Sequence, residues 1–189
     1  MAISPEFDST HFIAGAVNIL LQTINEPPIE TLADIDNILE AQIAKSVILE
    51  TKTSILSKGW DINTDTAYPF QPTTDGIITI PPDVLDIRSG TNIVLRDWML
   101  YDKANFTRKF TKTQYCDVVW NFDFNTLPHP LRYYITVLAS RKFQARMITD
   151  TTMYSFTDDD VSEALMIAKQ SNGFTSQFNM LDTITMQSL

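Results

Sequence analysis

Cysteine is almost absent: Cys116 is the single thiol in 189 residues. That excludes an internal disulfide framework and fits a reducing compartment. Glycine is nearly as scarce. Its five positions, 15, 59, 76, 90 and 173, are too widely spaced for a dinucleotide fingerprint or a P-loop, both of which need bare backbone against phosphate. No G-x-S-x-G elbow occurs, so a serine hydrolase of that type has no nucleophile turn. Histidine occurs twice, at His11 and His129, and with Cys116 it forms too sparse a donor set for structural zinc. No metal or other cofactor is expected.

Long hydrophobic runs are also missing. The most apolar stretch, Phe12 to Ile24, is interrupted by Asn18 and Gln22 and falls short of the ~20 residues a bilayer requires, so no membrane partner is expected. No base precedes Lys45, so the N-terminus lacks the positive region of a secretory signal. Positive charge is short throughout: 14 Lys and Arg face 23 Asp and Glu, a net charge of −9. Residues 1–60 hold 8 acids and 3 bases, 61–130 hold 9 and 6, and 131–189 hold 6 and 5. Since no third is basic, non-specific nucleic-acid binding by counterion release is disfavoured.

What is present is ordinary globular material, 44% hydrophobic, in a chain long enough for one domain or one domain with a smaller lobe. Helical spacing runs from Thr10 to Ile24, and Pro27-Pro28 follows to stop it. A second, longer helix is predicted from about Leu32 to Lys58. Its stripe is Ile35, Ile38/Leu39, Ile43, Val47 and Ile55/Leu56, and Gly59 is its C-terminal cap. From Trp60 to Thr126, β-branched and aromatic residues alternate with turn signals, which predicts strands at 76–80, 84–88, 92–96, 98–102 and 115–122 in a meander-like antiparallel sheet. Pro128-His129-Pro130 opens a third helix over about 130–148, and Thr157 with three aspartates begins a fourth over about 158–171. The remaining segment is apolar without clean periodicity, the composition of a tail that orders against a partner. The expected fold is α+β: a body of about four helices from residues 1–60 and 128–172, an inserted antiparallel β lobe at 61–127, and a C-terminal tail at 173–189.

Few residues stand out for chemistry. Asp158, Asp159 and Asp160 with Glu163 have the oxygen ligands that Mg²⁺ or Ca²⁺ prefers, but at a helix start they are better explained by capping and the helix dipole. A carboxylate pair for glycan hydrolysis has too many candidates, among them Glu26, Glu40, Glu50, Asp117 and Asp123, for any to be marked out. His129, between two prolines, reads as a polar residue leading into a helix rather than a general base, and His11 as a solvated side chain. The β lobe is more telling. Arg88, Arg96, Lys103, Arg108, Lys109 and Lys112 interleave with Trp98, Tyr101, Phe106 and Phe110. That composition stacks bases or fills protein interfaces, and Asp97 and Asp102 dilute its charge in favour of the interface. The candidate partner-contact residues are Arg96, Trp98, Leu100, Tyr101, Phe106 and Arg108, joined by Phe178, Met180, Leu181 and Ile184 of the tail. No residue is assigned to catalysis.

Five segments in order carry a resemblance: Ala16 to Leu32 (AVNILLQTINEPPIETL), Lys58-Gly59-Trp60, Ile80-Pro81-Pro82-Asp83-Val84-Leu85, Leu100-Tyr101-Asp102, and Leu127-Pro128 with Tyr134-Ile135-Thr136, Ala139-Ser140-Arg141 and Phe143. Over residues 12–148 the chain resembles the tail tubular protein A, or head-to-tail adaptor, family of short-tailed bacteriophages. Asn25 stands where that family's turn carries glycine, and asparagine is the residue that best replaces glycine at positive φ. The resemblance implies a virion structural protein made in the host bacterial cytoplasm, not an enzyme. It implies a homo-oligomeric ring of twelve copies between the portal protein and the tail nozzle (tail tubular protein B). DNA would pass through its channel without specific binding. The competing readings are a virion-associated peptidoglycan hydrolase using a carboxylate pair and a single-stranded nucleic-acid binder using the β lobe.

Overall fold

The computed structural model describes residues 11–89, 92–148 and 155–186, with side chains for all of these except 11, 32 and 174–186. The fold is α+β and divides into two compact units, residues 1–52 with 123–189, and residues 53–122.

The first unit is helical. α1 (His11–Gln22) ends before Asn25, which takes φ 61°, so the turn there keeps the left-handed residue that the sequence implies. Asn18 holds the following chain by accepting the Ile29 N–H at 2.8 Å. The expected long second helix is two: α2 (Leu32–Asn37) and α3 (Leu39–Leu56), separated by Ile38 in an extended conformation. Asn37 and Gln42 explain the break, because polar side chains compete for backbone groups: Asn37 donates to the Ala33 carbonyl at 3.0 Å, and the Gln42 side chain donates to the Asp36 backbone carbonyl at 2.6 Å. The predicted stripe changes with it. Ile35, Val47, Ile55 and Leu56 are buried as predicted, but Ile38 and Leu39 are exposed, and Ala41, Ala44 and Ile48 join the buried face of α3.

α4 (His129–Met147) is the central helix of this unit, with α1 and α5 (Asp158–Met186) packed on it. Leu131, Tyr134, Ile135, Val137, Ala139 and Phe143 are all buried, which covers more than one face. Its two inward hydroxyls are satisfied locally: Thr136 and Ser140 each donate to the carbonyl four residues back at 2.8 Å. α5 is a correction. It runs to Met186 rather than ending near 171, so residues 173–186 of the expected tail are helical, and 187–189 lie outside the described residues. Gly173 costs a helix only about 1 kcal/mol relative to alanine, and no proline follows to end it.

The second unit holds every strand found among the described residues. β1 (Thr64–Phe70), β2 (Val84–Arg88) and β5 (Gln114–Trp120) form an antiparallel sheet in the order β1-β5-β2, while β3 (Ile93–Arg96) and β4 (Met99–Asp102) form a separate hairpin. This replaces the single meander. β1 escaped the sequence reading because Asp65 and Pro69 argue against a strand; it is tolerated as an edge, with a bulge where Ala67 takes φ 52°. Residues 76–80, predicted as a strand, pair with β4 only around the Thr79–Met99 bridge, since Gly76 turns the chain before them and Pro81-Pro82 stops it after. The core between these layers contains Phe70, Ile78, Ile80, Leu100, Phe110 and Trp120.

The Lys58-Gly59-Trp60 segment is explained here. Gly59 has φ 77°, and a Cβ on it would lie 3.2 Å from the Arg88 guanidinium. The Trp60 indole N–H donates to the Ile55 carbonyl at 3.0 Å, capping the helix end. Asn63 is fully buried beside it, donating to the Leu56 carbonyl at 3.1 Å and the Trp120 carbonyl at 2.6 Å while accepting the Trp60 N–H at 2.8 Å.

Candidate partner interface

The β3–β4 hairpin reverses through two residues, Asp97 at φ 52° and Trp98 at φ 58°, with Arg96 facing Met99. Two successive positive φ values mark a type I′ turn, whose right-handed twist suits a two-residue hairpin and whose second position favours glycine. A tryptophan there costs about 1–2 kcal/mol of backbone strain. The turn is nevertheless fixed: Trp98 C=O accepts the Ile80 N–H at 2.8 Å, and the Asp97 carboxylate binds the Arg108 guanidinium at 2.5 Å.

A second turn is built in the same way. The Asp102 carboxylate accepts the Ala104 N–H at 2.8 Å, the Asn105 N–H at 3.1 Å and the Asn105 side-chain amide at 2.7 Å. These bonds to its charged form hold the Asp102 carboxyl below its ordinary range, the Asn105 side chain contributing most. The turn closes with Phe106 at φ 53°. Trp98 is 53% exposed and Phe106 81%, so both strained positions present aromatic rings to solvent. The Asp97–Arg108 pair ties the two turns together, and Arg96 lies over the Tyr101 ring at 4.1 Å.

Of the expected contact residues, Arg96, Trp98, Tyr101, Phe106 and Arg108 therefore share one region. Leu100 does not belong to the surface: it is 0% exposed and anchors the hairpin in the core. The strand alternation carries the reason, because Leu100 pairs with Leu95 on the inner face while Arg96 and Tyr101 sit on the outer one. Phe178, Met180, Leu181 and Ile184 fall in the continuation of α5, outside the described side chains. Arg88 is occupied within its own unit by Asp86 at 3.0 Å and the Lys58 carbonyl.

Several of the other candidates have structural employment. Thr157 and Asp160 form a reciprocal cap on α5, Thr157 N–H to the carboxylate at 2.7 Å and Asp160 N–H to the hydroxyl at 3.2 Å. Backbone and then side-chain bonding from Thr157 lowers the Asp160 pKa. Asp158 pairs with Arg141. Glu50 receives Arg146 on both oxygens at 3.0 and 2.9 Å, Asp117 accepts the Ala67 N–H at 2.9 Å, and Asp123 caps the 3₁₀ turn at Phe124–Thr126. His129 stacks on Tyr133, and the His11 side chain lies outside the described set. Cys116 is buried, and burial raises its thiol pKa, with Asp117 adding to the effect. Among the described residues no cluster of His, Cys, Asp or Glu is arranged to hold a metal, and no helix is long and apolar enough to cross a membrane.

These features define an α+β protein whose distinctive chemistry lies on its surface, in aromatic side chains carried by locked turns among arginines. The family is equally definite: the sequence profile of the tail tubular proteins matches residues 15–178, and the chain belongs to that family. It is accordingly a structural component of a phage tail, within the virion. A comparison with curated proteins gives no match.

Proposed function

We propose that the chain is the tail adaptor of a short-tailed phage: a closed ring of twelve copies between portal and nozzle that extends the DNA exit channel and works without bond-making chemistry. The family match over residues 15–178 carries this reading. Two physical features support it. The aromatic and basic hairpin surface is suited to protein docking, being rich in the residue types that dominate interface energetics. Twelve copies at −9 each bring on the order of a hundred negative charges around the bore, which discourages DNA adhesion. The test is to mix the purified protein with its cognate portal and image the product by electron microscopy. A twelve-fold ring added to the portal is expected; portals that remain bare at saturating protein refute the adaptor role.

A further inference from the structure

Charge is divided unevenly between the units. The first carries 15 acids and 7 bases, the second 8 and 7. Within the second, residues 88–112 hold 6 bases against only Asp97 and Asp102, and both of those carboxylates are engaged locally. The exposed Trp98 and Phe106 thus belong to a segment whose exposed bases include Arg96, Lys103 and Lys109.

The first unit has a feature of opposite sign. At the α2–α3 break the chain exposes two adjacent aliphatic side chains, Ile38 at 40% and Leu39 at 63%. Around them stand Glu30, Asp34, Asp36 and Glu40, with Lys45 as the local counter-charge, 3.8 Å from Asp36. An ordinary amphipathic helix would turn these aliphatics inward. The extended Ile38 turns them out instead.

We propose that the Trp98–Phe106 surface of one copy seats on the acidic Ile38–Leu39 elbow of the next copy, and that this is the contact that closes the ring. The inference rests on the ring reading above. Apolar meets apolar at the centre and base meets acid at the rim, the layout of specific interfaces. Self-pairing of either patch places like charges opposite one another, which costs several kcal/mol. The contact is therefore heterologous, and heterologous contacts generate rings when the rotation closes. Two exposed apolar residues per side cover well below the ~800 Å² per partner of a standard interface. Isolated copies should therefore associate weakly and assemble cooperatively on a template.

The test uses phage particles carrying Leu39→Cys and Phe106→Cys in the same chain, with native Cys116 as a buried background. Mild oxidation should give a ladder of dimers, trimers and higher multiples on a non-reducing gel, and neither single variant should give one. In parallel, Lys103→Glu and Glu40→Lys should each lower incorporation into particles at least tenfold, and the combined variant should recover to within about threefold of wild type. Rings visible by electron microscopy without a ladder, and with both reversals tolerated, overturn this contact and leave the adaptor role standing. Loss with Lys103→Glu that Glu40→Lys does not rescue assigns the hairpin to portal, nozzle or DNA, and also overturns it. Particles without any ring of this protein overturn both readings.

Discussion

Replacing Asn63 by alanine should collapse the second unit while sparing the first. Its side chain is fully buried and makes three bonds, to the Leu56 and Trp120 carbonyls and from the Trp60 N–H. Truncation strips the Trp60 N–H and the Trp120 carbonyl of this partner, at about 1–3 kcal/mol each, and removes a second bond of about 1 kcal/mol from the Leu56 carbonyl, which keeps the Gly59 N–H at 3.0 Å; the sum is roughly 4 kcal/mol. A unit of about 70 residues has a total stability of roughly 3.5–10 kcal/mol at 0.05–0.15 kcal/mol per residue. The loss is thus a large fraction of what is available. It falls at the junction of the α3 terminus, the Trp60 turn and the central strand β5.

The protein supplies its own selective probe, since its three tryptophans, Trp60, Trp98 and Trp120, all lie in residues 53–122. Urea unfolding followed by tryptophan fluorescence therefore reports the second unit, while far-ultraviolet circular dichroism is dominated by the helices. With a slope near 1 kcal/mol per molar urea for so small a unit, the fluorescence midpoint should drop by more than ~2 M, or the unit should already be open in buffer. The exposed Asn92→Ala is the control and should change stability by less than about 0.5 kcal/mol. Asn63→Asp adds a signature in pH. Its carboxylate would face two carbonyl oxygens, so its folded pKa rises above the unfolded value near 3.9. Stability relative to wild type should then be best below about pH 4 and fall as pH rises through the raised value. A fluorescence shift for Asn63→Ala worth less than about 1 kcal/mol would falsify the reasoning.

Two further outcomes follow from the geometry. Trp98→Gly should relieve the strained φ of 58° and leave stability unchanged or raised by up to about 1 kcal/mol by thermal circular dichroism, while incorporation into particles falls; a loss above 1 kcal/mol would show that packing, not exposure, holds the residue. Asp34, which accepts the Thr31 N–H at 2.7 Å at the start of α2, and Asp160 are both held by these caps below the ordinary value of 3.8, so their stabilisation is present above that pH and is lost as pH falls through the lower folded values. Helicity of wild type should decline across that acid window more than that of Asp34→Asn/Asp160→Asn, and identical titrations would remove the cap as the cause.

The legible parts of the fold were those written in local chemistry. Pro128 and Pro130 mark the start of α4, the aspartates after Thr157 cap α5, and Asn25 does take positive φ. The illegible parts depend on distant partners or on competition between neighbours. β1 is a strand because β5 offers it a ladder and Trp120 donates to Asp65 at 2.8 Å, a partner 55 residues away. The helix break at Ile38 depends on which backbone groups Asn37 and Gln42 capture, a contest that apolar spacing does not register. Leu100 is different, because its signal was present: period-2 alternation beside Tyr101 already assigns the two residues to opposite faces. Asn63 carried no signal at all, since nothing in a linear reading distinguishes a buried amide hub from a turn residue.

The placement of the aromatics argues that the hairpin exists for display. A type I′ turn accommodates Asp-Gly with no strain at the second position, so a half-exposed tryptophan there is a net cost to the isolated fold. The surroundings are arranged to withstand it. Leu100 roots the hairpin in the core, the Ile80 N–H fixes the Trp98 carbonyl, and Arg108 clamps Asp97. Phe106 repeats the pattern, held at positive φ by a turn that Asp102 organises through three bonds. Stability is thus given up twice, at adjacent turns, to hold aromatic rings in water where they contribute little to their own unit. A rigid presentation of this kind is favourable only once a partner covers the rings, because the ordering cost has already been met before binding.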